Sequence, residues 1–140
     1  MSSAAVRLAA ELAADDPLLA ACVARDPEFS SGPAQVVEIG PRTSHRAGEY
    51  RYALEVIREG HLLHGGGGRV LLTGDSDLAL LAGDRLYAEG LLRIAEIGDA
   101  EAIVELSQLI VACAVARVSD DPDFAEVAWA QTCERIAGKA

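Results

Sequence analysis

Two histidines three residues apart, His61 and His64, stand at the end of an apolar stretch and run directly into Gly65-Gly-Gly-Gly68. On a helix that spacing puts both imidazoles on one face, where they could share a metal ion or pass a proton. Two imidazoles do not close a metal site, so Glu11, Asp75, Asp77, Asp84 or a cysteine would have to be brought in by the fold. No tightly bound metal is expected. The four glycines could turn successive backbone N–H groups toward a phosphate. They lack the Lys-Ser or Lys-Thr ending of a P-loop and follow no clear strand, so a flexible helix connector is the plainer reading. Farther on, Asp84, Arg85 and Tyr87 lie within one helical turn and complete a candidate pocket with His61 and His64. In that pocket a histidine would transfer protons, Asp84 would orient it or a polar substrate, and Arg85 and Tyr87 would form the border. The bland reading has the histidines finishing a helix, Gly83 permitting close packing and Asp84 making a local polar contact. No reaction class follows from these residues, and no cofactor is expected.

The elements that would position them are helical. Ser3 to Ala14 is amphipathic, and Asp16-Pro17 supplies a cap and a first-turn proline for a segment reaching about Arg25. Asp26-Pro27 ends that segment and opens an irregular connector over 27–44, with room at Val36-Val37-Glu38-Ile39 for a short extended run, an edge strand at most. His45, just before the next helix, reads as a cap or surface residue. Tyr50, Ala53, Leu54, Ile57, His61 and His64 then follow helical spacing, while Glu49, Arg51, Glu55 and Arg58 mostly fall outside that path. The helix should end near His64, because four glycines combine low propensity with backbone freedom. Another begins near Asp75 or Asp77 and places Leu78, Leu81, Ala82, Arg85 or Leu86, Ala88 or Glu89, Leu92 and Ala95 inward, stopping at Gly98. Asp99 caps a third, Ala100 to about Val118, packing through Ile103, Leu106, Ile110, Cys113 and Ala114 or Arg117. Asp121-Pro122 starts the last, through Phe124, Val127, Ala128, Gln131 or Thr132 and Ile136. The expected fold is all-α: one domain over 1–140, a small antiparallel bundle with a connector near 27–44 and a glycine-rich joint at 65–68.

The stretch from Leu54 to about Ile110 resembles part of the trans-isoprenyl diphosphate synthase family. His64 matches the histidine that precedes that family's aspartate-rich motif, and Leu81-Ala-Gly-Asp-Arg-Leu86 matches its later apolar-Ala-Gly-Asp-apolar signature. The resemblance implies a truncated prenyl-synthase-like bundle. In such synthases carboxylates and Mg²⁺ neutralise the departing pyrophosphate, a demand set by its concentrated charge. Here Gly65 and Gly66 occupy the places of the first two aspartates, Arg69 alone stands for the basic residues beyond, and the chain is too short for a second aspartate-rich motif. The departures argue against autonomous prenyl-chain elongation. They favour a noncatalytic prenyl-synthase-like binding or regulatory subunit, whose partner would be a catalytic prenyl synthase or a polyprenyl ligand. A small helical enzyme with a polar interhelical pocket, and a structural interaction bundle, are the alternatives.

Composition narrows the partners. The 140 residues carry 12 basic and 22 acidic side chains, a formal charge of -10, which works against nonspecific attraction to nucleic acid or anionic lipid. Cys22, Cys113 and Cys133 are odd in number and widely spaced, so reduced thiols rather than a disulfide framework are expected. Glu11 interrupts the first apolar stretch, which disfavours a signal peptide, and no uncharged run has the roughly 20 residues of a membrane span. A cytoplasmic protein is expected. The Leu78 to Leu92 and Ile103 to Ala116 faces offer more apolar surface than a small monomer need expose, and a homo-oligomer, most simply a dimer, is expected.

Overall fold

A computed structural model describes residues 3–29 and 32–139. Met1, Ser2 and Ala140 of the expected domain and Ser30-Ser31 of the connector lie outside the described residues. The chain is an all-α bundle: α1 (Ala4–Asp15), α2 (Pro17–Ala20), α3 (Ala47–His64), α4 (Ser76–Ile97), α5 (Ala100–Val118) and α6 (Pro122–Ala137), with two 3-10 helices at Pro33–Glu38 and Ser44–Arg46. Among the described residues no helix is long and apolar enough to cross a membrane.

Local chemistry places the boundaries. Ser3, Asp16, Asp99 and Asp121 each accept a hydrogen bond from a first-turn amide, and Pro17 and Pro122 sit where a helix needs no N–H. Asp75 caps α4 by accepting from the amides of Asp77 and Leu78. At the end of α3 the Gly67 amide donates to the Leu62 carbonyl and the Gly66 amide to that of Leu63, with Gly66 at a φ of 90°. This is a Schellman cap, so the first glycines finish the helix instead of dangling from it.

Contacts group the chain into two compact units. The first comprises Met1–Ser30 and Glu55–Glu89. Ala5, Leu8 and Leu12 of α1, Leu19, Val56, Ile57, Leu63, Val70, Leu71 and Leu86 are buried in it. Residues 22–24 meet 70–72 in extended form: the Ala24 amide donates to the Val70 carbonyl and the Leu72 amide to that of Cys22, both at 2.8 Å. That pairing corrects the helix expected from Pro17 to about Arg25. It stops at Ala20, because the backbone groups that would continue it serve the bridge.

The second unit comprises Ser31–Leu54 and Gly90–Ala140. Here α5 and α6 form an antiparallel hairpin that buries Leu106, Leu109 and Cys113 with Ala125, Trp129, Cys133 and Ile136. The run expected to be extended at 36–39 is instead largely within the 3-10 helix that begins at Pro33, packed on α6 with Ala34 and Val37 buried. A proline at its first turn and two small apolar residues three apart suit that tight helix better than a strand edge. Arg42 fastens the segment to the end of α6, its amide donating to the Ala137 carbonyl at 3.0 Å and its guanidinium to that of Ile136 at 2.9 Å.

Three packing faces differ from expectation. On α4 Leu81 and Leu92 are exposed, while Ala79, Ala82, Gly83, Leu86, Gly90 and Ile94 are buried. Small residues turn inward because the backbones of α3 and α4 approach closely there: a Cβ on Gly60 would stand 2.7 Å from the Gly83 carbonyl oxygen. On α6 Phe124 and Val127 are exposed, since the large Trp129 ring sets the inward face. On α3 Glu55 is buried, contrary to its assignment outside the core path.

Candidate functional site

Three of the five residues of the expected pocket come together in the first unit. The His64 Nε2 lies 3.0 Å from an Asp84 carboxylate oxygen and 3.2 Å from the Leu80 carbonyl oxygen. Both neighbours are acceptors, so this nitrogen carries a hydrogen and donates it. Tyr87 packs edge-on against the imidazole, with ring centroids 5.0 Å apart. Gly83 makes the approach feasible, because a Cβ there would come within 2.6 Å of His64 Nε2. Arg85 leaves this group and pairs with Asp15 at the end of α1. His61, one turn earlier on α3, is half-buried. His45, in its short 3-10 helix, sets its ring edge-on to Tyr50.

The His64–Asp84 pair is a modest chemical device. The Asp84 side chain is 70% exposed, so water screens the pair, and the Nε2 hydrogen is already committed to two oxygens. The arrangement holds α4 against the end of α3. Among the described residues no three His, Cys, Asp or Glu side chains converge closely enough to hold a metal ion.

The amides of Gly65, Gly66 and Gly67 donate to α3 carbonyls, and it is the segment just beyond the joint, Arg69 to Leu71, that forms an anion nest, which the protein fills. Glu59, on α3 and fully buried, accepts from the amides of Arg69, Val70 and Leu71 at 2.8, 2.7 and 3.0 Å, and from Arg69 Nε at 3.1 Å. Arg69 also reaches the Glu55 carboxylate at 3.3 Å and lies over the Phe29 ring at 4.2 Å. Gly68 permits the turn, since a Cβ there would meet Glu59 Oε2 at 2.8 Å. Three successive N–H groups and a guanidinium are the donors a phosphate would require, and here they receive a carboxylate from the same chain. Sequence reading missed Glu59. The available signal was two glutamates four apart on this helix, Glu55 and Glu59, followed beyond a chain reversal by an arginine able to answer both.

A second polar cluster organises the other unit. Asp99 caps α5 through the Ala102 amide at 3.0 Å, and also accepts from the Tyr50 hydroxyl and from Arg42, each at 2.8 Å. Burial together with the hydrogen bond to Asp99 and its charge pushes the Tyr50 phenol up to about 12. For Asp99 burial acts upward, but the Ala102 amide, the Tyr50 hydroxyl and the Arg42 guanidinium outweigh it and hold the carboxyl below its ordinary range.

A separate surface groove of about 640 Å³ runs between α1, through Val6, Ala9, Ala10 and Ala13, and the segment 23–28. None of His61, His64, Asp84, Arg85 or Tyr87 lines it. No protein-family model, curated protein or solved structure matches the chain.

Proposed function

We propose that this chain is a noncatalytic binding or regulatory subunit on a scaffold akin to the trans-isoprenyl diphosphate synthases. One observation carries the reading: the residues through which the resemblance runs, His64 and Ala82-Gly83-Asp84, pack on one another, while Gly65 and Gly66 in the places of the first aspartates serve as a helix cap. The donors beyond the glycines, which could have gripped a phosphate, are occupied by Glu59. Among the described residues no three His, Cys, Asp or Glu side chains form the metal-holding cluster that diphosphate departure demands. Its partner in this reading is a catalytic prenyl synthase, or a polyprenyl chain bound directly, in the cytoplasm. Coexpression with the prenyl synthases of the source organism, followed by native mass measurement, tests it. A stable complex, or a polyprenyl alcohol retained by the chain alone, is the expected result. Association with no synthase together with no polyprenyl binding would refute it.

The grouping of His64, Asp84 and Tyr87 favours a second reading, a small helical enzyme in which that histidine handles a proton beside a polar ligand. Native mass spectrometry of the purified chain distinguishes the two. A retained polar small molecule that is lost in Asp84→Asn would move the enzyme reading ahead.

A further inference from the structure

The surface groove beside α1 has one wall with little to hold it. Residues 23–28 form that wall, and among the described residues Arg25 to Phe29 take part in no hydrogen bond or ion pair. Apart from the turn that leads out of α2, the ties of this segment run to the residues just after the glycines. At its start the Ala24 amide donates to the Val70 carbonyl and the Cys22 carbonyl accepts from the Leu72 amide, both at 2.8 Å. At its end Arg69 lies over the Phe29 ring at 4.2 Å.

Residues 69–72, a strap across the first unit, are held in turn by one side chain. The amides of Arg69, Val70 and Leu71 and the Arg69 Nε converge on the Glu59 carboxylate at 2.7–3.1 Å. Glu55 takes only the Arg69 guanidinium, 3.3 Å from its carboxylate and 3.2 Å from its carbonyl. The backbone of the strap therefore rests on Glu59, through charge-assisted bonds that a neutral side chain does not match. Glu59 itself does not line the groove.

We infer that the groove wall, 22–29, and the strap, 69–72, are one opening unit latched by Glu59, so that a positioning residue outside the groove sets its width. The reason lies in the backbone. If the wall swings away while the strap stays, the carbonyl of Val70, a fully buried residue, loses its donor. If the strap lifts while the wall stays, the same bonds break and Arg69 leaves Phe29. Either half-open state gives up those ties without gaining the chain freedom of full opening, so the two segments open together. Helix α1 stands apart, since its amides are bonded within its own helix and Ala5, Leu8 and Leu12 are buried. By linkage, whatever shifts the wall shifts the hold of Glu59 on the strap by the same factor, and the reverse. The latch does not depend on the prenyl-synthase reading.

Native-state hydrogen exchange on the full chain, with and without a staple across the groove, tests it. The amides of Ala24, Val70, Leu71 and Leu72 should share one opening free energy, below that of Leu8 and Leu12 in α1. Ala10 on α1 and Glu28 on the wall both line the groove and are exposed. Ala10→Cys and Glu28→Cys, in a Cys22→Ala background with Cys113 and Cys133 buried, accept a short cleavable cross-linker. Joining them keeps the wall on α1, so exchange at Val70 and Leu71 should slow by about tenfold, a usual size for coupled sites, and recover on cleavage. Glu59→Gln should speed exchange at Ala24 by the same factor as at Val70, about 30-fold. Should that variant fail to fold, the staple on the chain with its native Glu59 decides alone. Different opening free energies at Ala24 and Leu71, exchange of all four amides only together with α1, or a staple that slows Ala24 while leaving Val70 and Leu71 unchanged would each overturn the latch.

Discussion

Replacing Glu59 should cost more stability than replacing any other charged residue in the first unit. The carboxylate is fully buried and receives three backbone amides and the Arg69 Nε at 2.7–3.1 Å. Each buried donor left without an acceptor costs about 1–3 kcal/mol, so a rigid protein would lose far more than it can spare. The real ceiling is the cost of letting the segment 69–71 lift into water. That exposes Val70 and Leu71, now buried, at about 1.5–3 kcal/mol each. Glu59→Ala should therefore destabilise by about 3–5 kcal/mol, the range for breaking a buried charged pair. Glu59→Gln keeps one acceptor oxygen but turns an NH₂ toward other donors, and should lose about 2–3 kcal/mol. Equilibrium urea unfolding monitored by helical ellipticity gives the free energies. Hydrogen exchange at the amides of 69–71 locates the effect, with protection falling there before it falls in α5 and α6. A Glu59→Ala loss below about 1 kcal/mol, or unchanged protection at 69–71, would refute the assignment of Glu59 as the anchor of this segment.

Gly83→Ala should destabilise by about 2–4 kcal/mol in thermal unfolding, because its methyl would press on the His64 ring and stand 2.9 Å from the Gly60 carbonyl oxygen. Tyr50 should ionise at about 12 in an ultraviolet titration, a step absent from Tyr50→Phe, and Asp99→Asn should bring it down. Since its folded value is raised, the associated stability is intact below the ordinary tyrosine value of about 10 and lost as pH climbs from there through the folded value. Urea unfolding across that pH window checks the sign, and Tyr50→Phe should flatten the decline. Asp120→Gly should stabilise by about 0.5–1 kcal/mol, seen as a raised urea midpoint, because Asp120 caps α5 at a φ of 53°, a left-handed conformation that glycine adopts freely.

How much of this was legible in the chain depended on how local each cause was. Asp16-Pro17, Asp99 and Asp121-Pro122 mark helix starts because a cap needs only its own next three residues, and Gly66 and Gly98 mark stops because only nearby carbonyls are involved. The four long helices, the all-α class and the burial of Tyr50, Ala53, Leu54 and Ile57 follow from such signals and from apolar spacing. His64 and Asp84 were candidates by residue type, but their meeting depends on Gly60 and Gly83 letting two helices close in. Apolar spacing alone assigns large side chains inward, and so it misplaced Leu81, Leu92, Phe124 and Val127, which the glycine contact and the Trp129 ring turn to solvent. The 3-10 turn at 33–38 and the short α2 were settled by partners distant in the chain, α6 for one and residues 70–72 for the other. Glu59 shows the limit most sharply. A glutamate on a helix reads as surface until the chain reverses and delivers three amides and an arginine to it, and that reversal is a property of the fold.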